Sequence, residues 1–334
     1  MEATNNINYF VQDSTWRIFK INSQEDFVRK FVVQGNFHEK VHSDVLKSFQ
    51  VVEHALALSF FHYPLYDLAI DKLLRIFEMA VNLRCADLGI EKVYFDNKNK
   101  QRFKNLNQLI DELIRIGMID DFRNILHNIR KIRNHSSHQE NHTLIGTIAG
   151  QVIYPILNLI NLIFIDNEIH IENQSQFETI KAKILLDRNA LFKLVHEGQF
   201  ILAYDIDIHD CFKKEDDWIY IFSFMPVVTD AEKRIKNHQP PDRIMQFIQN
   251  ANIDDLSIQG IDLVQGKDVL IEKTIKVENM DKMQVQLTIL IEADDIDAFT
   301  FVNGPKLNVD RKSQQFIHEN RWVNKVSDIR FVNK

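Results

Sequence analysis

"LYDLAIDKLLRIFEMAVNLRCADLG", residues 65–89, repeats its apolar side chains at intervals of three and four. Leu68, Leu73, Ile76, Phe77, Ala80 and Val81 fall on one stripe of a 3.6-residue period, so the stretch reads as a long amphipathic helix with Gly89 as its stop. The same period runs on both sides of it. "KVHSDVLKSFQVVEHALALSFFH" (40–62) is a helix that ends before Pro64, and "LNQLIDELIRIGM" (106–118) and "DDFRNILHNIRKIRN" (120–134) are shorter helices separated at Gly117, with Asp120 and Asp121 suited to a helix start. The polar "FDNKNKQRFKN" (95–105) between them reads as a loop. This part of the chain is a helical bundle of four to five members.

The bundle's last member is "TLIGTIAGQVIYPILNLINLIFI" (143–165), which carries no charged side chain. That length could span a bilayer, and Gly146-x3-Gly150 matches a small-residue packing motif. Gln151, Asn158 and Asn161, the internal Pro155 and flanks without a Lys/Arg bias favour a fully buried bundle helix instead. No membrane association is expected.

Residues 1–39 are less regular; "TWRIFKI" and "DFVRKFVVQG" suggest a pair of strands, or a strand and a short helix. After Asp166 the pattern changes to short alternating runs, and the charge changes with it: residues 1–166 carry 19 Lys+Arg and 19 Asp+Glu, residues 167–334 carry 21 and 28, so the net charge of −7 lies in the second half. Three segments are expected: an N-terminal extension (1–39), a helical bundle (40–166) and an acidic α+β domain (167–334). In the last, "GQFILAYDIDIHD", "DWIYIFSFMPVV" and the hairpin-like "VLIEKTIKVENMDKMQVQLTILIEA" read as antiparallel strands and "PDRIMQFIQNAN" as a helix entered from Pro240-Pro241. The fold class is α+β overall.

Cys85 and Cys211 stand alone, in no metal-ligand spacing, and the N-terminus has no basic start, apolar core or cleavage site, so a reducing cytoplasm is expected. The sequence contains no GxGxxG, Walker, GxSxG or HExxH motif, which removes support for nucleotide-driven motors, Rossmann dehydrogenases and the commoner hydrolases. No cofactor is implied.

Bases accumulate at one place. "IRKIRNHSSHQENH" (129–142) holds Arg130, Lys131 and Arg133 with His135, His138 and His142. Cations at a helix C-terminus compensate the macrodipole, but that role needs no histidines. Imidazole near neutrality can take and return a proton, and a guanidinium can grip a phosphate in bidentate fashion. Together they suit metal-independent cleavage of RNA, in which the 2′-hydroxyl is the nucleophile.

Arg133-Asn134-x3-His138, between one bundle helix and the next, resembles the signature of the HEPN superfamily (higher eukaryotes and prokaryotes nucleotide-binding). The context over about residues 40–165 is similar too, including Arg75-x2-Glu78 in the long helix. The resemblance implies an endoribonuclease leaving a 2′,3′-cyclic phosphate and a 5′-hydroxyl, commonly a homodimer with facing motifs, and often a toxin or anti-phage defence effector. Under it, Arg133 steadies the scissile phosphate, His138 transfers protons and Asn134 orients His138 or contacts phosphate. On an ideal helix Arg133 and His138 are about 140° apart, so a turn at Ser136-Ser137 is expected if both face one site.

Alternatives stay open. Arg130-x4-His135 is an overlapping register, His142 reads as a surface bystander, and Glu78 is an accessory candidate for which an ordinary i,i+3 bridge to Arg75 is the simpler role. Some HEPN members are noncatalytic dimerisation modules that bind RNA or a protein partner. The acidic half could restrain the nuclease or bind an antitoxin, phage or host protein. In that half, Asp205, Asp207 and His209 alternate on one strand as a conceivable divalent-metal set, with a solvated strand face as the simpler reading.

Overall fold

The computed structural model describes residues 9–116, 146–186, 190–196, 199–255, 257–322 and 324–325. The chain divides into two compact units, Met1–Asn167 with Ile317–Lys334, and Glu168–Phe316.

In the first unit, α1 (Thr15–Ile18), α2 (Gln24–Phe31) and the short β1 (Asn36–Phe37) precede α3 (Ser43–Leu58) and α4 (Pro64–Asp87). Residues 15–21 and 26–35, expected as a pair of strands or as a strand and a short helix, instead carry the helices α1 and α2. Ser23 accepts the Asp26 N–H at 3.1 Å as N-cap of α2, and Asp26 pairs with Arg29 and Lys30, the i,i+3 and i,i+4 contacts of a helix face. Trp16 is fully buried among Phe27, Phe31, Tyr63 and Tyr66, and its indole N–H donates to the Ser59 carbonyl at 2.7 Å.

Proline at its first turn opens α4, and a Schellman turn closes it: Gly89, at φ +67°, donates to Ala86 and Ile90 donates to Cys85. Its buried face is wider than the expected stripe and lacks only Leu68. Leu68 is 58% exposed, while Tyr66, Ala69, Ile70, Leu74 and Cys85 join Leu73, Ile76, Phe77, Ala80 and Val81 in the core.

The expected loop after α4 contains a hairpin, β2 (Val93–Phe95) and β3 (Gln101–Phe103), ahead of α5 (Leu106–Arg115). Its turn is held by Asp96, whose carboxylate accepts from the Lys98 and Lys100 N–H groups at 2.9 Å and from Arg102 at 3.1 Å, with Asn99 at φ +52°. Asn105 and Gln108 cap α5 reciprocally. The expected helix at 120–134 lies outside the described residues.

The uncharged run enters α6 (Gly146–Phe164), and no helix among the described residues is long and apolar enough to cross a membrane. Ile153, Ile156, Leu157, Leu159, Ile160, Ile163 and Phe164 are all buried, so the described side chains of this helix belong to the core and offer no broad apolar surface to a partner. Its two asparagines are buried and bonded. Asn161 accepts the His38 N–H at 2.6 Å and donates to the Asn36 carbonyl at 3.0 Å, and Asn158 accepts the Trp322 indole N–H at 2.8 Å. β1 in turn pairs with β10 (Asn324–Lys325), Asn36 donates to the His318 carbonyl at 3.1 Å, and the His318 ring lies 2.8 Å from the Gln34 carbonyl. The last described residues thus belong with the first unit, whereas the sequence pattern ran the second domain to residue 334.

The second unit begins with α7 (Asn167–Leu186) and a closed antiparallel barrel of six strands in sequential order: β4 (Phe192–His196), β5 (Gln199–Lys214), β6 (Asp217–Pro226), β7 (Ile244–Ile253), β8 (Ser257–Asp262) and β9 (Lys267–Lys273). Phe192, Leu194, Phe222, Phe224, Ile248, Ile258 and Ile271 fill its interior, and Phe177, Ile180 and Ile184 of α7 pack on that cluster. Gln176 donates to the Tyr220 hydroxyl at 2.8 Å, fixing α7 on β6.

Two expectations exchange places here. "RIMQFIQNAN" is strand β7, because Ile244, Gln246 and Ile248 are buried by period two between β6 and β8. "VENMDKMQVQLTILIE" is helix α9 (Val277–Glu292), reached after α8 (Ala231–Lys236), because Met283, Gln286 and Leu290 form its buried stripe, with Met283 and Leu290 packed in one cluster with Tyr204 and Met225. α10 (Asp295–Asn303) and α11 (Lys306–Asn320) follow. Asp294 caps α10 by accepting the Ile296 N–H at 2.9 Å.

Replacing Asn161 with Leu leaves the His38 N–H and the Asn36 carbonyl buried without a partner, and should lower the unfolding free energy by about 2–5 kcal/mol. Leu68→Gln should change it by less than about 0.5 kcal/mol because the side chain faces solvent. Urea denaturation of the two variants checks the helix register; equal losses would contradict it.

Candidate functional site

Arg133, Asn134 and His138, the second register Arg130 and His135, and His142 lie outside the described residues. The helices that precede and follow this segment in the chain are α5 and α6, and α4 packs against both. Glu78 sits half-buried on α4, where its carbonyl accepts from the Asn82 amide at 2.9 Å. Arg75 does not take Glu78 as its ion-pair partner; it bonds Asp71 at 2.8 Å, one turn earlier.

Polar groups also gather where α6 ends. Lys40 pairs with Asp166 at 2.5 Å, which holds that carboxyl below its usual range with a smaller contribution from Arg84. His38 packs edge-on to Trp322, and burial lowers its imidazole from the ordinary value. On α4, Arg84 keeps its buried Nε without a hydrogen-bond partner.

In the barrel, the alternating Asp205, Asp207 and His209 do not form a metal set. Among the described residues, no group of three or more His, Cys, Asp and Glu side chains could hold a metal ion. Arg243, its side chain 1% exposed, takes the position between the carboxylates: Nη1 donates to Asp205 at 2.7 Å, Nη2 lies 3.5 Å from Asp207, and Nη2 also donates to the Asp205 carbonyl. A buried guanidinium needs such neutralisation, and the strand supplies it by bulging. Register shifts fall between Tyr204 and Asp207 and again before Asp210, with Asp205 at φ +49°.

His209 is drawn into the same network. Arg243 Nε donates to the Ser223 hydroxyl at 2.9 Å, and His209 Nε2 lies 2.7 Å from the same oxygen. Burial, then the Arg243 charge, pushes His209 down to about 4. A hydroxyl bonded to an imidazole has the parts of a nucleophile, but Ser223 is fully buried, so no substrate reaches it and the network is structural. Arg243 and Ser223 lay 20 residues apart in segments read as helix and strand, and no local pattern joined them.

The barrel has one loose seam. β4 and β9 pair only at Phe192↔Lys273 and Lys193↔Glu272, and beyond that a groove of about 290 Å³ opens between Leu194–Val195 and Lys267–Leu270. Phe200, 72% exposed, borders it with Lys193 4.2 Å over its ring.

Compared with protein-family models, curated proteins and solved structures, the chain gives no match.

The His209 network makes stability depend on pH with a definite sign. The unfolded histidine binds its proton near the ordinary 6.5 and the folded one near 4, so stability is complete above pH 6.5 and declines as the pH falls toward 4. His318, also pushed down to about 4 by burial, acts in the same direction. His209→Gln can still bond Ser223 but cannot titrate. Its thermal midpoint should fall less between pH 7 and pH 5 than that of the native chain, and an equal fall would remove His209 from this account.

Proposed function

We propose that this chain is a metal-independent endoribonuclease of HEPN type, acting in the cytoplasm as a toxin or anti-phage effector. The observation that carries the reading is Arg133-Asn134-x3-His138, set in sequence between α5 and α6 of a helical unit whose longest helix, α4, packs on α3, α5 and α6.

In this reading His138 accepts the 2′-hydroxyl proton as that oxygen attacks the adjacent phosphorus, and Arg133 neutralises charge developing on the phosphate oxygens. The P–O5′ bond breaks, giving a 2′,3′-cyclic phosphate and a 5′-hydroxyl, whose proton is supplied by an imidazolium. Asn134 positions His138 or the phosphate, and Glu78 is an accessory group on α4. The overall acidity does not oppose an RNA substrate, because residues 101–138 hold seven Arg/Lys against four Asp/Glu.

A homodimer with facing motifs belongs to the same proposal. It draws no support from the apolar run, whose described side chains α6 buries within its own unit. The second unit, in the acidic half, is the proposed seat of an antitoxin, phage or host protein partner.

The purified chain should cut RNA in EDTA. His138→Ala and Arg133→Ala should each lower cleavage by about 10²–10⁴-fold at unchanged thermal midpoint, and Arg130→Ala and His135→Ala should not. Loss in the second pair alone would move the site to the other register. RNA or partner binding without cleavage would leave a noncatalytic dimerisation module. Light scattering at micromolar concentration should give a dimer; a monomer would remove the composite site.

A further inference from the structure

The hairpin β2–β3 is small, but its two faces differ. By cross-strand register Val93 faces Phe103, Tyr94 faces Arg102 and Phe95 faces Gln101, so the period of two places Val93, Phe95, Gln101 and Phe103 on one side. The opposite side carries Lys92, Tyr94, Arg102 and Lys104, and Lys104 anchors it to α5 through Glu112 at 2.7 Å. The first side is turned to solvent: Phe95 is 67% and Phe103 80% exposed.

Two phenylalanines on adjacent strands cost free energy when left in water, and an isolated three-residue hairpin gains nothing from them. Their surroundings indicate what covers them. Residues 92–104 contain five cations, Lys92, Lys98, Lys100, Arg102 and Lys104, and one acid, Asp96. That acid accepts the backbone N–H groups of Lys100 and Lys98 and the Arg102 side chain, bonds that hold its carboxyl below the usual range. With Arg102 paired to Asp96 and Lys104 to Glu112, the exposed Lys92, Lys98 and Lys100 leave the hairpin positive around two open rings. Diagonal side chains on one face of an antiparallel pair stand roughly 7–8 Å apart, a spacing that an extended single strand can match with successive bases.

We propose that this hairpin is a single-stranded RNA platform, on which Phe95 and Phe103 stack two bases while Lys98 and Lys100, in the turn, hold the flanking phosphates. It deepens the ribonuclease reading, on which it rests for the choice of RNA, by giving the substrate a seat in sequence just ahead of α5 and the basic segment. Stacking on phenylalanine tolerates any base and requires unpaired ones, so the platform selects single strands over duplex.

The test keeps binding apart from cleavage. A fluorescent 2′-O-methyl oligouridine of about 12 nucleotides lacks the nucleophile, so the full chain can bind it in EDTA without cutting it. Fluorescence anisotropy should show Phe95→Ala/Phe103→Ala weakening binding by about 30-fold or more, with Phe95→Tyr/Phe103→Tyr restoring it. Lys98→Glu/Lys100→Glu should weaken binding and flatten its salt dependence by about one to two in the log–log slope. Exposed rings carry no core packing, so circular dichroism and the thermal midpoint should stay unchanged. An unchanged affinity in the phenylalanine variant, equal affinity for duplex, or no binding by the native chain overturns the platform. A change of sedimentation coefficient in place of affinity assigns the rings to a protein contact and also overturns it. The two readings separate cleanly: binding through the hairpin with no cleavage of ordinary RNA keeps the platform and removes the nuclease, and His138-dependent cleavage untouched by the hairpin variants does the reverse.

Discussion

A buried amide must have its donors and acceptor matched, and Asn161 meets that demand with groups far apart in sequence. Its oxygen accepts from His38, and its nitrogen donates to Asn36 and to Leu157 one turn back on its own helix. Three residues away, Asn158 receives the Trp322 indole. These bonds tie a helix that is otherwise apolar to a strand near the start of the chain and to a tryptophan near its end. Within the first unit, the β1–β10 pairing and the seat of His318 follow from that arrangement. Pure hydrophobic burial would hold α6 in the core without fixing which segments meet it, because it is non-directional.

The barrel solves the same problem with a charge. Arg243 is buried on the sheet, and the cost of removing a guanidinium from water is offset by Asp205, Asp207, Ser223 and a backbone carbonyl. The bulges of β5 bring those acceptors to it, so the irregular strand and the buried cation explain each other. His209 completes the network in its neutral form. Side chains that in isolation suggest a metal site or a nucleophile are thereby committed to holding two neighbouring strands, β5 and β6, to the start of β7.

The functional proposals use the helical unit. α5 anchors through Lys104 and Glu112 a hairpin whose acid is bonded in its own turn and whose two rings, with Lys92, Lys98 and Lys100, are exposed. The basic segment with Arg133 and His138 comes after it in sequence, so the features suited to RNA fall between Lys92 and His138, in a half of the chain with no net charge. The whole net charge of −7 lies in residues 167–334, a division of charge that suits one part for nucleic acid and the other for a protein partner.

The helices α3, α4, α5 and α6 were legible in the sequence, because long runs of one period leave no competing conformation and Pro64 and Gly89 punctuate them. The sequence also specified β5 and β6 as strands, although it placed short alternating runs directly after Asp166, where the 20-residue helix α7 stands. It did not determine β7 or α9: Ile244, Phe247 and Ile248 satisfy helical spacing as well as a strand buried on both faces, and Val285, Leu287, Ile289 and Ile291 alternate like a strand although Met283, Gln286 and Leu290 are what the helix buries. The residue pattern is degenerate in both places, and the neighbours that break the degeneracy, β6 and β8 for one and the cluster of Tyr204 and Met225 for the other, come from distant sequence. The proposed catalytic motif was legible as a pattern of residue types. The aromatic face of β2–β3 and the Arg243 network were not, because which side chains share a face or a buried charge is decided by strand register, and register exists only once the chain has folded.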